Sequence, residues 1–131
     1  LDGYDEVSLT SETKVSTSNK DFIFKPADLG LNRISQQSIF GGNSIKEAAK
    51  IFVDILNLRG TKEQVNVVLA NSALAISTYK GININDAYEI AKKSLKDKDA
   101  LQALSKLIEL SRWIFLIKLL GIKFRKSTAL K

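Results

Sequence analysis

Cysteine, histidine and methionine are all missing from this 131-residue sequence, and proline occurs once. Without cysteine there is no disulfide framework and no thiolate metal site. Without histidine, the commonest general base, the usual zinc ligand and every Ser-His or Cys-His nucleophile pair are gone. Chemistry here must run on carboxylates, hydroxyls, lysines, arginines, backbone amides or a hard metal ion. A long apolar run is missing too. Trp113 to Phe124 is apolar on all sides but is punctuated by Lys118 and Lys123, and its length of about 12 residues falls short of the ~20 that span a bilayer. The opening Leu1 to Glu6 is polar and acidic, so no secretory signal is expected. With no cysteine, the chain suits a reducing compartment, and a cytoplasmic location is the expectation. The initiator methionine is absent as well, which suggests a chain that begins partway through a larger fold.

What is present fits a soluble domain with a modest core: 44% hydrophobic and 26% charged residues exclude a disordered or collagenous chain. The net charge of +6 raises the question of nucleic acid, and its distribution answers it. Residues 1–110 hold 14 Lys+Arg and 14 Asp+Glu, whereas Arg112, Lys118, Lys123, Arg125, Lys126 and Lys131 face no acid in residues 111–131. The body is neutral and the tail is basic, which is not the domain-wide basic face of a nucleic-acid binder. Two regions follow: a domain over 1–110 and a basic apolar tail over 111–131.

The first 25 residues read as short strands. Glu6 to Thr10 alternates, Lys14 to Ser18 is rich in β-branched residues, and Phe22-Ile23-Phe24 follows the turn-forming Ser18-Asn19-Lys20-Asp21. The last two runs suit a hairpin. Pro26 ends the strand because it lacks a ladder donor, Pro26 to Gly30 reads as a turn, and residues 31–43 read as a connector ending in Gly41-Gly42. From Ser44 the period turns helical. Ser44 with Glu47 and Thr61 with Gln64 are capping-box pairs, and Gly60 suits a left-handed position past the first helix. That helix carries an apolar stripe of Ala48, Ile51, Phe52, Ile55 and Leu56. The second is apolar on several faces, which predicts extensive burial. Asn83 or Asn85 caps a third running to about Lys96, and Asp99 opens a fourth carrying Leu101, Leu104, Leu107 and Ile108.

Leu1-Asp2-Gly3-Tyr4-Asp5-Glu6-Val7-Ser8-Leu9-Thr10 resembles the Asp-Gly-Leu-Asp-Glu-x-Ser/Thr motif of the anthranilate phosphoribosyltransferases. Thr13-Lys14-Val15, Pro26-Ala27-Asp28-Leu29-Gly30, Gly41-Gly42-Asn43 and the Leu69-Ala70-Asn71-Ser72-Ala73 helix resemble further pieces of that family in the same order. The resemblance covers about residues 1–108. It implies an α/β fold, the C-terminal portion of a nucleoside-phosphorylase/phosphoribosyltransferase-type catalytic domain, with short strands followed by about four helices. It implies a transferase of tryptophan biosynthesis that moves a phosphoribosyl group from phosphoribosyl pyrophosphate to anthranilate, as a homodimer when intact. It also implies that Asp5 and Glu6 hold Mg2+ against the pyrophosphate. Magnesium chemistry agrees, since the ion takes one or two carboxylates, phosphate oxygens and waters. Adjacent side chains of a regular strand point to opposite faces, so both acids reach one ion only from a bend, for which Gly3 is suited.

The family's glycine-rich pyrophosphate loop, its Lys-His-Gly-Asn segment, its anthranilate-contacting arginine and its dimer-forming helices lie upstream of this motif and are not among these 131 residues. The chain alone is therefore expected to be inactive and prone to self-association. Leu58 stands where the family usually has glycine, Lys96-Asp97-Lys98-Asp99 replaces a Ser-Gly-Lys turn, and residues 109–131 run past the usual end. Outside the resemblance, Asp5 and Glu6 read as solvated loop acids, Ser8, Thr10 and Thr13 as strand formers, Asn71 as a partner for nearby backbone, and Tyr79 and Tyr88 as packing residues. Two other functions stay open: a non-catalytic module whose basic apolar tail meets anionic membrane or nucleic acid, and a pyrimidine nucleoside phosphorylase relative.

Overall fold

A computed structural model of the chain describes residues 2–17 and 20–119, with side chains placed through Arg112. β1 (Thr13–Ser16) and β2 (Asp21–Phe24) pair antiparallel, with Val15 opposite Phe22 and Thr13 opposite Phe24. Strand alternation puts these four on one face. Phe24 is fully buried there, whereas Ile23 on the outer face is exposed. Thr17 closes the hairpin: its backbone N–H donates to the Lys20 carbonyl at 3.1 Å, and its Oγ1 accepts from the Lys20 N–H at 3.1 Å. Ser18 and Asn19 of the expected turn lie outside the described residues.

The strand expected over Glu6–Thr10 does not form. That segment is a succession of bends, and Val7, Ser8 and Leu9 are buried in a row instead of alternately. Leu9 takes a φ of 62°, which breaks the two-residue period and turns consecutive side chains inward. Past β2 the expectations hold. Pro26–Leu29 forms a single 3₁₀ turn whose first amide, on Lys25, donates to the Asp28 carboxylate at 2.8 Å, and Gly30 follows at φ 66°. The connector is irregular except for a short turn over Gln36–Ile39.

Four helices follow: α1 (Ile45–Leu56), α2 (Lys62–Lys80), α3 (Ile84–Lys96) and α4 (Asp99–Leu119). The first three start at side-chain caps. Thr61 and Gln64 make the full reciprocal pair. At α1, Ser44 accepts from the Glu47 amide at 3.2 Å, while the Glu47 carboxylate reaches one residue further back, to the Asn43 amide at 2.6 Å. Asn83 caps α3 through the Asn85 amide at 2.7 Å. The left-handed residue past α1 is Leu58, at φ 60°, and not Gly60. Gly60 is there for space: a Cβ on it would stand 2.7 Å from Ile55 Cγ1.

The core lies where α2 meets α3. Leu69, Ala70 and Ala73 face Ala87, Tyr88, Ala91 and Leu95, joined by Val7, Leu9, Phe24, Leu29 and Leu56. Alanines at the contact let the helix axes approach closely. Burial of α2 is narrower than its composition predicts, since Val68 and Ala75 are exposed. Tyr88 is buried, with its hydroxyl 3.4 Å from Asn66 Oδ1, whereas Tyr79 is 90% exposed and does not pack as expected. The α1 stripe is buried only at Ile55 and Leu56; Phe52 is 52% and Ile45 91% exposed. On α4, Leu101 and Leu104 pack against the core, while Leu107 and Ile108 are exposed. The α4 backbone runs unbroken across residues 110 and 111, so the change in composition there falls within a helix. No helix among the described residues is long and apolar enough to cross a membrane, and residues 120–131 of the basic tail lie outside them.

The close approach at Gly60 gives a direct test. Gly60→Ala is expected to lower unfolding stability by about 1–3 kcal/mol through overpacking against Ile55. Gly41→Ala, where a Cβ meets nothing within 4 Å, should leave stability within about 1 kcal/mol of the parent chain. Urea midpoints compare the two.

Candidate functional site

Residues 2–10 form a braced loop. Asp2 lies inside it, with its Oδ2 accepting a 2.6 Å hydrogen bond from the Ser8 hydroxyl and a second from the Thr10 hydroxyl. Its Oδ1 accepts from the Tyr4 amide at 3.4 Å. Ser8 Oγ in turn accepts from the Thr10 amide at 3.1 Å. Gly3, at φ 90°, allows the turn that brings residue 2 back over residues 8 and 10. One carboxylate thus closes the loop across eight residues of chain. The two hydroxyl donors, Ser8 first, stabilise the charged form and pull the Asp2 carboxyl from its ordinary 3.8 down to about 2.

The loop is fastened to the body at two points. The Leu9 carbonyl accepts from the Ile34 amide at 3.1 Å. More firmly, the Asn71 side chain on α2 takes both backbone groups of Val7. Its Oδ1 accepts from the Val7 N–H at 3.0 Å, and its Nδ2 donates to the Val7 carbonyl at 2.8 Å. The second Nδ2 hydrogen goes to the Val67 carbonyl at 2.9 Å, so both amide donors are used. A strand neighbour would make the same pair of bonds, and here a side chain makes them in its place. Val7 is 3% exposed, and each of its backbone groups would cost roughly 1–3 kcal/mol if left buried and unpaired.

Between these two braces lie Asp5 and Glu6. Both are exposed and both sit in bends, as the shared-ion reading requires of adjacent acids. Neither enters an ion pair among the described residues, in contrast to acids such as Glu12, Asp21, Asp54, Glu89 and Asp97. No group of three metal-ligating side chains occurs among the described residues. A pair of carboxylates cannot cage a cation, but it suits an ion that keeps its waters and shares oxygens with a phosphorylated substrate.

Other candidates fall to local structure. Gly41-Gly42 is a connector, as expected: Gly42, at φ 92°, sits with its Cα hydrogen toward Glu47, and a Cβ would come within 2.7 Å of Glu47 Cβ. The amide end of α1 already holds the Glu47 carboxylate, so it functions as a cap. Ser8 and Thr10 are not strand formers but donors to Asp2. Asn71 does bond backbone, though its main partner is 64 residues away. The apolar hollow of about 510 Å³ between the hairpin and the α2–α3 corner is lined by Val15, Phe22, Leu74 and Ile82 among others, none of them in the acidic loop. Asp2 went unread as a separate element; an Asp-Gly pair followed by hydroxyls is the signal that marks such a turn.

A family model described as the a/b domain of a glycosyl transferase family matches residues 1–101. The chain belongs to this glycosyl transferase family. Among curated relatives, anthranilate phosphoribosyltransferases from Flavobacterium psychrophilum and Flavobacterium johnsoniae are each 47% identical over 111 residues, 85% of this chain and 34% of theirs. That from Phocaeicola vulgatus is 42% identical over 112 residues. The chain spans about a third of the length of the curated relatives it matches. The braced loop lies wholly within the segment matched to the family.

Lowering of the Asp2 pKa on folding fixes the sign of an acid effect. Its stabilisation is complete above the unfolded value near 3.8 and is lost as pH falls through about 2. Carboxyl carbon shifts in an NMR titration should place the Asp2 midpoint near 2, and Asp2→Asn should remove the acid-induced loss of stability over that window.

Proposed function

We propose that this chain is the C-terminal part of an anthranilate phosphoribosyltransferase, a cytoplasmic enzyme of tryptophan biosynthesis that joins phosphoribosyl pyrophosphate to the amine of anthranilate. The observation that carries the reading is the braced bend that holds Asp5 and Glu6 side by side and exposed. The relatives' names supply the reaction, and the family membership of residues 1–101 supplies its class.

Asp5 and Glu6 would hold Mg2+ through carboxylate oxygens. When bound, the ion would offset negative charge on the diphosphate as it leaves the sugar. This chain's own part is orientation. Asp2, Ser8 and Thr10 keep the loop turned, Asn71 anchors it, and the two acids remain accessible to a phosphorylated ligand. The groups that grip the rest of the substrates lie outside these residues, and the intact enzyme would work as a homodimer.

In the full-length polypeptide, Asp5→Asn combined with Glu6→Gln should lower kcat/KM by about 100-fold or more, the scale of removing a preorganised charge partner. The magnesium concentration for half-maximal rate should rise with it. Unchanged magnesium dependence in the double variant would defeat the metal role, and turnover of both substrates by the 131-residue chain alone would defeat its reading as a part.

A further inference from the structure

We infer that Asn71 is a positioning residue for the metal-holding acids, acting from α2 through the backbone of Val7. The inference rests on the proposed role of Asp5 and Glu6. Val7 directly follows Glu6, and its backbone N–H and carbonyl are both held by one carboxamide, at 3.0 and 2.8 Å. The first of these bonds fixes the peptide plane that joins Glu6 to Val7, and with it the direction in which the Glu6 Cα–Cβ bond leaves the loop. No ladder bond constrains this segment, because it belongs to neither strand.

The carboxamide is itself immobilised. Its remaining hydrogen is held by the Val67 carbonyl one turn back, at 2.9 Å, and Leu69, Ala70 and Ala73 around it are buried. α2 is seated on α3 by that same surface. Rigidity of the helix pair is therefore passed to the Glu6–Val7 peptide through this side chain, beside the Ile34 bond to Leu9 and the burial of Val7 and Leu9. Asp2 closes the loop from within, through its bonds to Tyr4, Ser8 and Thr10. Asn71 sets where the closed loop stands relative to the body. Support of this kind, one step removed from the ligands, typically governs metal affinity by 10–100-fold.

The experiment uses the full-length polypeptide, with Mn2+ and inorganic pyrophosphate as the probe, and three substitutions. Asn71→Asp keeps the acceptor for the Val7 amide and loses both donors. Asn71→Leu loses everything. Leu95→Ala weakens the core at a residue outside the loop and its bonds. Metal affinity comes from calorimetry, and order in residues 4–9 from amide hydrogen exchange, with each variant's melting temperature beside them. The expected result is a drop in Mn2+ affinity of about 10-fold for Asn71→Leu, a smaller one for Asn71→Asp, and faster exchange at residues 4–9 in both. Leu95→Ala should melt earlier and bind the ion as the parent does. If affinity in Asn71→Asp, the isosteric variant, and in Asn71→Leu stays at the parent level, the clamp has no such role. A fall in affinity that tracks melting temperature equally in Leu95→Ala reduces Asn71 to a core residue and also overturns it. Failure of the unsubstituted protein to take up Mn2+ through Asp5 and Glu6 is a separate outcome: it removes the metal site itself, whatever the exchange data say.

Discussion

The acidic loop at one end of the fold depends on one side chain that takes the place of a strand neighbour. A buried backbone amide and carbonyl must find partners, and the segment carrying Asp5 and Glu6 is too bent to find them in a sheet. Asn71 supplies both from a helix. Once Val7 is fixed in this way, Val7 and Leu9 can sink into the core while the two acids before them stay in water. The loop's internal closure by Asp2 adds shape to a segment whose location is already decided. A sheet would have delivered alternate side chains to opposite faces; a carboxamide clamp permits two neighbouring acids on a common bend.

The helical half was legible because its determinants are local. Ser44, Thr61 and Asn83 act as caps where the hydroxyl or amide precedes an apolar period, and each accepts from an amide two or three residues on. The hairpin was legible from its pair of short β-branched and aromatic runs. The first segment was misread for an equally physical reason. Glu6 to Thr10 has the composition of a strand, but Leu9 adopts a left-handed backbone, and the hydroxyls of Ser8 and Thr10 are drawn to Asp2 instead of to a neighbouring chain. Side-chain bonds of this sort compete with ladders, and nothing in the period reveals which wins.

The candidate site was legible as a motif and not as a construction. Asp5 and Glu6 could be named from their motif, and the need for a bend from Gly3. That Asn71 would reach them required knowing that α2 lies against the loop, a contact 64 residues apart in sequence. The exposed stripe of α1 is a related case. Its period marks one apolar face, yet only the last turn meets a partner among the described residues, because burial depends on neighbours that periodicity does not encode.

Leu9 has 0% of its surface exposed and a φ of 62°, a pairing that an L-amino acid adopts at a cost of about 1–2 kcal/mol. Its occupant must be bulky enough to fill the interior and free of a second carbon at Cβ that would collide with the main chain. Isoleucine and valine are apolar and fail the second demand, so three aliphatic residues that are all hydrophobic are not interchangeable here. Shape at the β-carbon, more than oiliness, is what this corner of the molecule selects.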